Sequence, residues 1–166
     1  MSIAEPLAAE FDVESAITRK VLAAVPEASF GWRPHAKSFT LGGLASHLCN
    51  ICGWGLTTLE MDVFAMEPGW KQPEFATSAE MLETFDKDAA RFAQVLRAET
   101  DDHLRAPWKM TIGGHTVMEH PREDVLRTFV YNHAYHHRGQ LTVYLRMLDV
   151  MLPEVYGPNA DTPKIG

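Results

Sequence analysis

The sequence predicts an all-α protein: a four-helix bundle interrupted once, before its last helix, by a short hairpin or irregular excursion. Three observations carry that expectation. Apolar residues recur at helical spacing in four long stretches, and such stripes are buried by packing on one another. Segments bearing proline and glycine separate the stretches. Between the third and fourth, Trp108–Val117 alternates around Gly113-Gly114, which is a hairpin pattern and not a helical one.

The first helix is expected over residues of about 5–25. Phe11, Ile17, Val21, Leu22 and Val25 have helical spacing, and Pro26 ends it. Ala28–Lys37, with Gly31 and Pro34, reads as a loop that packs Phe30 and Trp32 back on the bundle. Ser38 or Thr40 can cap a second helix running to about Met61. Its Gly42, Gly43, Gly53 and Gly55 weaken it by roughly 1 kcal/mol each relative to alanine, a cost that suits places where another backbone packs close. Glu67–Ala76 reads as a loop. Thr77-Ser-Ala-Glu80 is a capping box. It opens a third helix to about Ala98, with Met81, Leu82, Phe85, Ala89, Phe92 and Leu96 on one face. Pro121 and the acidic pair Glu123-Asp124 open a long last helix to about Met151. Pro153–Gly166, with three prolines and two glycines, reads as a tail.

At 166 residues the chain, 1–166, is read as one domain, long enough to bury a core without staples. An apolar fraction of 46% and a charged fraction of 22% are ordinary for a soluble protein. The net charge of −7 argues against nucleic acid as a partner, since that affinity comes largely from Lys and Arg on phosphates. No basic run or basic amphipathic helix suggests a membrane surface. No apolar run approaches the ~18 residues of a membrane span. Met1-Ser-Ile-Ala-Glu-Pro lacks the basic and apolar regions of a signal peptide. Two cysteines make no secreted disulfide framework. A cytoplasmic location is expected.

The chemical signal lies on the last helix. At about 100° per residue, His133, His137 and Gln140 fall within about 60° of one another on the apolar face, with Tyr131, Arg138, Thr142 and Arg146 opposite. A buried polar group without a partner costs roughly 1–3 kcal/mol. A divalent ion would satisfy both imidazoles at once, and the i, i+4 spacing is that of helical zinc motifs. Two hydrogen-bonded histidines in a polar cavity are the other reading. His47, on the apolar face of the second helix, is the natural third ligand, because bundle sites are built from facing helices. Three imidazoles with an open position match a catalytic layout better than a closed structural one. Gln140 could orient a bound nucleophile or substrate, or hydrogen-bond in the core. His136 lies at the edge of the stripe and reads as an outer or surface residue. Arg138 reads as a surface or interface charge. Cys49 and Cys52 form a CxxC, but they point away from His47 and sit mid-helix, where no helix N-terminus lowers a thiol pKa. They read as buried structural cysteines. His35, His103, His115 and His120 fall in loops or at helix edges. No nucleophile–base triad, phosphate loop or dinucleotide fingerprint is present.

Leu44-Ala-Ser-His47, Asn132-His-Ala-Tyr-His-His-Arg-Gly-Gln140 and Val155-Tyr-Gly-Pro158 resemble, in order and spacing over nearly the whole chain, the DinB family of metal-binding bundles, with its YfiT-like relatives. The resemblance implies a four-helix bundle, a homodimer, and a divalent metal held by His47, His133 and His137. It also implies chemistry of the kind relatives perform: thiol-dependent transfer or isomerisation with a low-molecular-weight thiol, or metal-dependent hydrolysis. The expected function is therefore activation of a small thiol or a water for attack on a small electrophilic substrate. A non-catalytic, stress-responsive metal-binding protein is the alternative. Imidazole suits zinc, nickel, iron and copper alike; zinc or nickel is the expected ion, with iron or manganese behind them.

Overall fold

Four long helical segments fold where the apolar spacing placed them. The computed structural model describes residues 2–163. Helix α1 spans Ala4–Ala23. A 3₁₀ turn at Glu27–Ser29 follows, and Phe30 and Trp32 then pack back on the core. Helix α2 spans Leu41–Glu60. Of its two candidate caps the chain uses Thr40, whose hydroxyl accepts the Gly43 N–H at 3.0 Å. Strand β1 is Val63–Met66. Helix α3 spans Ser78–Ala98, capped by Thr77, which accepts the Glu80 N–H at 3.2 Å. A short helix α4, Asp101–Arg105, leads to strands β2, Pro107–Ile112, and β3, His115–Pro121. The chain closes with one unbroken rod. It starts as α5, Arg122–Val125, widens into a π-helical stretch at Leu126–Asn132, and continues as α6, His133–Met147.

Helix α2 is the centre of the packing. It lies against α3 on one flank and against the last rod on the other, and α1 closes the ring between α3 and α6. Leu44, Leu48, Ile51 and Leu59 are buried in that core. Gly55 shows why a glycine stands mid-helix: a Cβ there would lie 2.7 Å from Phe92 Cε2. Cys49 and Cys52 are free and buried, as expected. Burial pushes the Cys49 thiol up to about 12.

The molecule is not the all-α four-helix bundle expected. Val63–Met66 runs parallel to β2, with Phe64 beside Met110, and β2 runs antiparallel to β3, with Trp108 beside His120. The excursion before the last helix is thus part of a three-stranded mixed sheet in the order β1-β2-β3. The hairpin itself turns where the paired glycines indicated. Gly113 and Gly114 have φ of +54° and +81°, the left-handed pair that a two-residue turn needs. What escaped the pattern was β1. Four residues are too few to show alternation, and their partner lies across the whole of α3. The sheet buries Trp108 and Met110 against Val125 in a second, smaller core.

A buried arginine joins sheet to bundle. Arg122 donates from Nε to the Thr58 carbonyl at 3.0 Å, from Nη1 to the Pro107 carbonyl at 3.1 Å, and from Nη2 to the Met61 carbonyl at 3.2 Å and Asp62 Oδ1 at 2.6 Å. It ties the end of α2, the start of β2 and the start of the last rod to one guanidinium. The rod ends at Met147, short of the expected Met151, because Asp149 takes φ of +56° and the Val150 N–H closes back on the Leu145 carbonyl at 3.0 Å. The tail is pinned by Asp161, which accepts from Arg146 Nη2 at 2.6 Å and from the Leu152 N–H at 2.8 Å. The end of the expected tail, residues 164–166, lies outside the described residues.

The tight α2–α3 approach makes a directional prediction. Gly55→Ala gains about 1 kcal/mol of helix propensity but forces the Phe92 ring out of a filled core, which costs about 1–3 kcal/mol. The second effect is the larger. The denaturation midpoint in urea is expected to fall, and a stabilised variant would refute the packing account.

Candidate metal centre

The two helices that carry the candidate ligands face one another. His47 comes from the middle of α2, and His133 and His137 from the first two turns of α6. Their ring centroids lie 4.4 to 4.9 Å apart. One nitrogen of each can be chosen so that all three lie within 4.8 Å of one another. His47 Nε2 and His133 Nε2 are 3.0 Å apart. Two nitrogens bound to one tetrahedral zinc would be about 3.3 Å apart, given Zn–N of about 2.05 Å.

The other nitrogen of each ring decides what this closeness means. His47 Nδ1 lies 2.5 Å from Gln72 Oε1, His137 Nδ1 lies 2.8 Å from Gln140 Oε1, and His133 Nδ1 lies 3.3 Å from the Phe129 carbonyl oxygen. Each of these oxygens can only accept, so each Nδ1 carries the proton and each Nε2 is left with a lone pair. Lone pairs brought together at 3.0 Å repel. A cation between them turns that repulsion into ligation. An acceptor behind each ring is also how metal-bound histidines are oriented. The donor set therefore fits a divalent ion.

The surroundings favour the neutral form of His133 and His137. Burial pushes the His137 pKa down to about 4; the Gln140 hydrogen bond opposes this, and the His47, His133 and His136 rings add to it. Burial lowers that of His133 too, aided by His47 and opposed by the Phe129 carbonyl. Neutral imidazole is the form that binds metal.

Aromatic rings frame the triad. Phe39 stacks on His47 at 5.7 Å and meets His137 edge-on at 6.4 Å. Across the site Trp54 lies 6.1 Å from both His47 and His133 and stacks on Phe129 at 4.8 Å. Phe39 is 52% exposed, so the frame is open on one side. A groove of about 310 Å³ runs beside His47, lined by Phe39, Gly43, Lys71, Gln72, Pro73 and Glu74.

The sequence pattern and the structure agree on His47, His133 and His137 as the residues that converge. Gln140 is brought to the site, exposed, with its amide oxygen committed to His137. His136 is exposed and outside the cluster. Arg138 is corrected: it is not a surface charge but is 2% exposed. It donates to Glu14 Oε2 at 2.6 Å and Thr18 Oγ1 at 3.1 Å, and also to the Tyr156 hydroxyl. Tyr131 and Arg138, placed opposite the apolar face, in fact pack on α1, where the Tyr131 hydroxyl donates to the Leu7 carbonyl at 2.8 Å. The apolar face of the rod is centred on Tyr131, Arg138, Leu141 and Leu145, and the histidines lie on its flank. Sequence reasoning missed Gln72. A lone glutamine in a loop without periodicity carries no signal of its own.

Helices packed around a core, with three imidazoles converging from two of them, define a class: helical-bundle proteins with a histidine triad positioned to hold a metal ion. The chain belongs to the DinB family, whose sequence model matches residues 1–164. It is 26% identical over 148 residues to the uncharacterized protein YrdA of Bacillus subtilis, a match covering 89% of this chain and 84% of that one. Two crystal structures share the fold. One is a DinB-like protein from Bacillus cereus, with 24% identity, a TM-score of 0.69 and coverage of 92% of this chain and 97% of that one. The other is the DinB-like YjoA of Bacillus subtilis, with 15% identity, a TM-score of 0.64 and coverage of 90% and 96%. Among the described residues no helix is long and apolar enough to cross a membrane.

The pKa shifts set a pH dependence for the metal-free protein. The unfolded chain takes up a proton on His137 near the ordinary value of about 6.5, whereas the folded chain resists until about 4. The unfolded state is thus favoured increasingly as pH falls through that window. Chelator-stripped protein should show a lower urea midpoint near pH 5 than near pH 7.5, and His137→Gln should flatten the difference. An equal pH dependence in the variant would contradict the assignment.

Proposed function

We propose that this protein is a metal-dependent enzyme in which His47, His133 and His137 hold one divalent ion, zinc or nickel in preference to iron or manganese. The reaction is attack by a low-molecular-weight thiol on a small electrophile, as in a thiol S-transferase. The observation that carries the reading is the convergence of three imidazoles, with His47 Nε2 and His133 Nε2 3.0 Å apart and each ring anchored through its Nδ1, at an edge open to solvent. Among the described residues the group of convergent donors is these three, which supports a catalytic layout over a closed structural one. When bound, the ion supplies Lewis-acid activation, lowering the pKa of a thiol or a water toward neutrality.

The chain's own residues do the rest. Gln72, Phe129 and Gln140 hold the imidazoles in one tautomer. The Gln140 amide group, its oxygen already engaged by His137, is left with N–H donors to orient a bound molecule. Phe39 and Trp54 both set apolar rings against the triad, which suits a planar acceptor and limits water there. The same open position would admit water, so hydrolysis is the competing reaction.

Two measurements test the reading. Elemental analysis of protein purified without a histidine tag should find about one divalent ion per chain. Zinc supplied at about 100 times its Kd should stabilise the fold by about 2.7 kcal/mol. His47→Ala, His133→Ala and His137→Ala should each abolish both effects; stoichiometric metal in all three variants would refute the site. Second, a thiol panel with a chromogenic aromatic electrophile should show turnover that chelation removes and metal restores. Metal-dependent hydrolysis of an ester panel without thiol turnover would reassign the nucleophile to water.

A further inference from the structure

The loop between β1 and α3, residues 67–76, lies across α2 beside the triad. Three successive contacts hold it there. The Phe75 N–H donates to Ser46 Oγ at 3.0 Å. Asn50 Nδ2 donates to the Pro73 carbonyl at 2.9 Å. Between these two, Gln72 accepts from His47 Nδ1 at 2.5 Å, with its own amide nitrogen 3.5 Å from the His47 carbonyl. Toward its start the loop sets Trp70 against Trp54 and Phe64, with centroids at 6.5 and 6.3 Å.

The three histidines are not held alike. The acceptors for His133 and His137 come from their own rod, through the Phe129 carbonyl and Gln140. They stay in place whenever the rod is folded. His47 alone is held by a side chain from a distant, exposed loop. If the loop lifts, the His47 ring loses its acceptor and is free to rotate or change tautomer. An ion that needs the His47 Nε2 lone pair therefore also selects the docked loop.

We propose that Gln72 is the positioning residue for His47, and that ion loading and docking of loop 67–76 are one coupled equilibrium. The proposal rests on the metal reading of the triad. Coupling of this kind is reciprocal: whatever holds the loop down tightens the ion, and the ion holds the loop down equally. The loop also carries Lys71, Pro73 and Glu74, so loading would organise the groove beside His47 in the same step.

Zinc is the probe. Affinity is read by competition with a chromophoric chelator, and loop docking by amide hydrogen exchange over residues 67–76 with and without zinc. In the natural protein zinc is expected to slow exchange across the loop. Gln72→Leu should weaken zinc by about 10–100-fold, the usual effect of losing the partner behind a ligating histidine, and should remove the zinc-dependent protection. Gln72→Glu, which keeps an acceptor, should restore both. Gln72 is half-buried at the surface, and circular dichroism checks that each variant folds. A loop that loosens in Gln72→Leu with zinc affinity unchanged would make the residue purely structural and overturn the proposal. Exchange indifferent to zinc in the natural protein would overturn the coupling. Natural protein that takes up no zinc would remove the metal reading itself, and the coupling with it, before any variant is compared.

Discussion

Everything near the triad depends on how the last rod is held against α2, and one guanidinium fixes that relation. Arg122 is 1% exposed and donates to carbonyls at the end of α2 and the start of β2 as well as to Asp62. Hydrogen bonds from a charged donor contribute about 1.5–3 kcal/mol each, and in return the buried charge must be fully satisfied. The sheet is small, but it supplies some of those carbonyls. Its presence beside the bundle is therefore bound up with the register of α2 and the rod, and that register decides whether His47 meets His133 and His137.

Wherever one helix could speak for itself, the sequence was legible. The Thr40 and Thr77 caps and the glycine pair in the hairpin are local signals, and the chain obeys them. Strand β1 was not legible, because Val63–Met66 becomes a strand only by pairing with residues beyond α3. The end of the rod was misplaced for a similar reason. Asp149 takes the left-handed conformation that glycine normally announces.

The site was legible in its three converging histidines and not in what holds them. His133 and His137 share a helix face by spacing alone, and His47 stood out on an otherwise apolar face. The acceptors behind the rings include a main-chain carbonyl and a loop glutamine, neither of which a pattern can flag. Arg138 reads as a surface or interface charge from spacing because a single apolar face is expected, whereas the rod is buried on two flanks. The π-helical stretch adds to that error, since a wheel of fixed pitch drawn through Leu126–Asn132 does not keep its phase.

That stretch also constrains how the chain can vary in length. A π-turn holds one residue more than the α-turn it replaces, and removing that residue lets the ladder revert to ordinary α-helix. Everything after it would keep nearly the same orientation relative to Arg122, because the wider π-turn sweeps with its extra residue about the angle that an α-turn sweeps without it, so His133 and His137 would still face His47. What the site fixes is thus the angle swept between the buried arginine and the first rod histidine, not the number of residues that sweep it. A relative one residue shorter there, with a wholly α-helical rod, could still bring the three together, whereas a residue lost from an α-helical part of the rod would turn the histidines by about 100°.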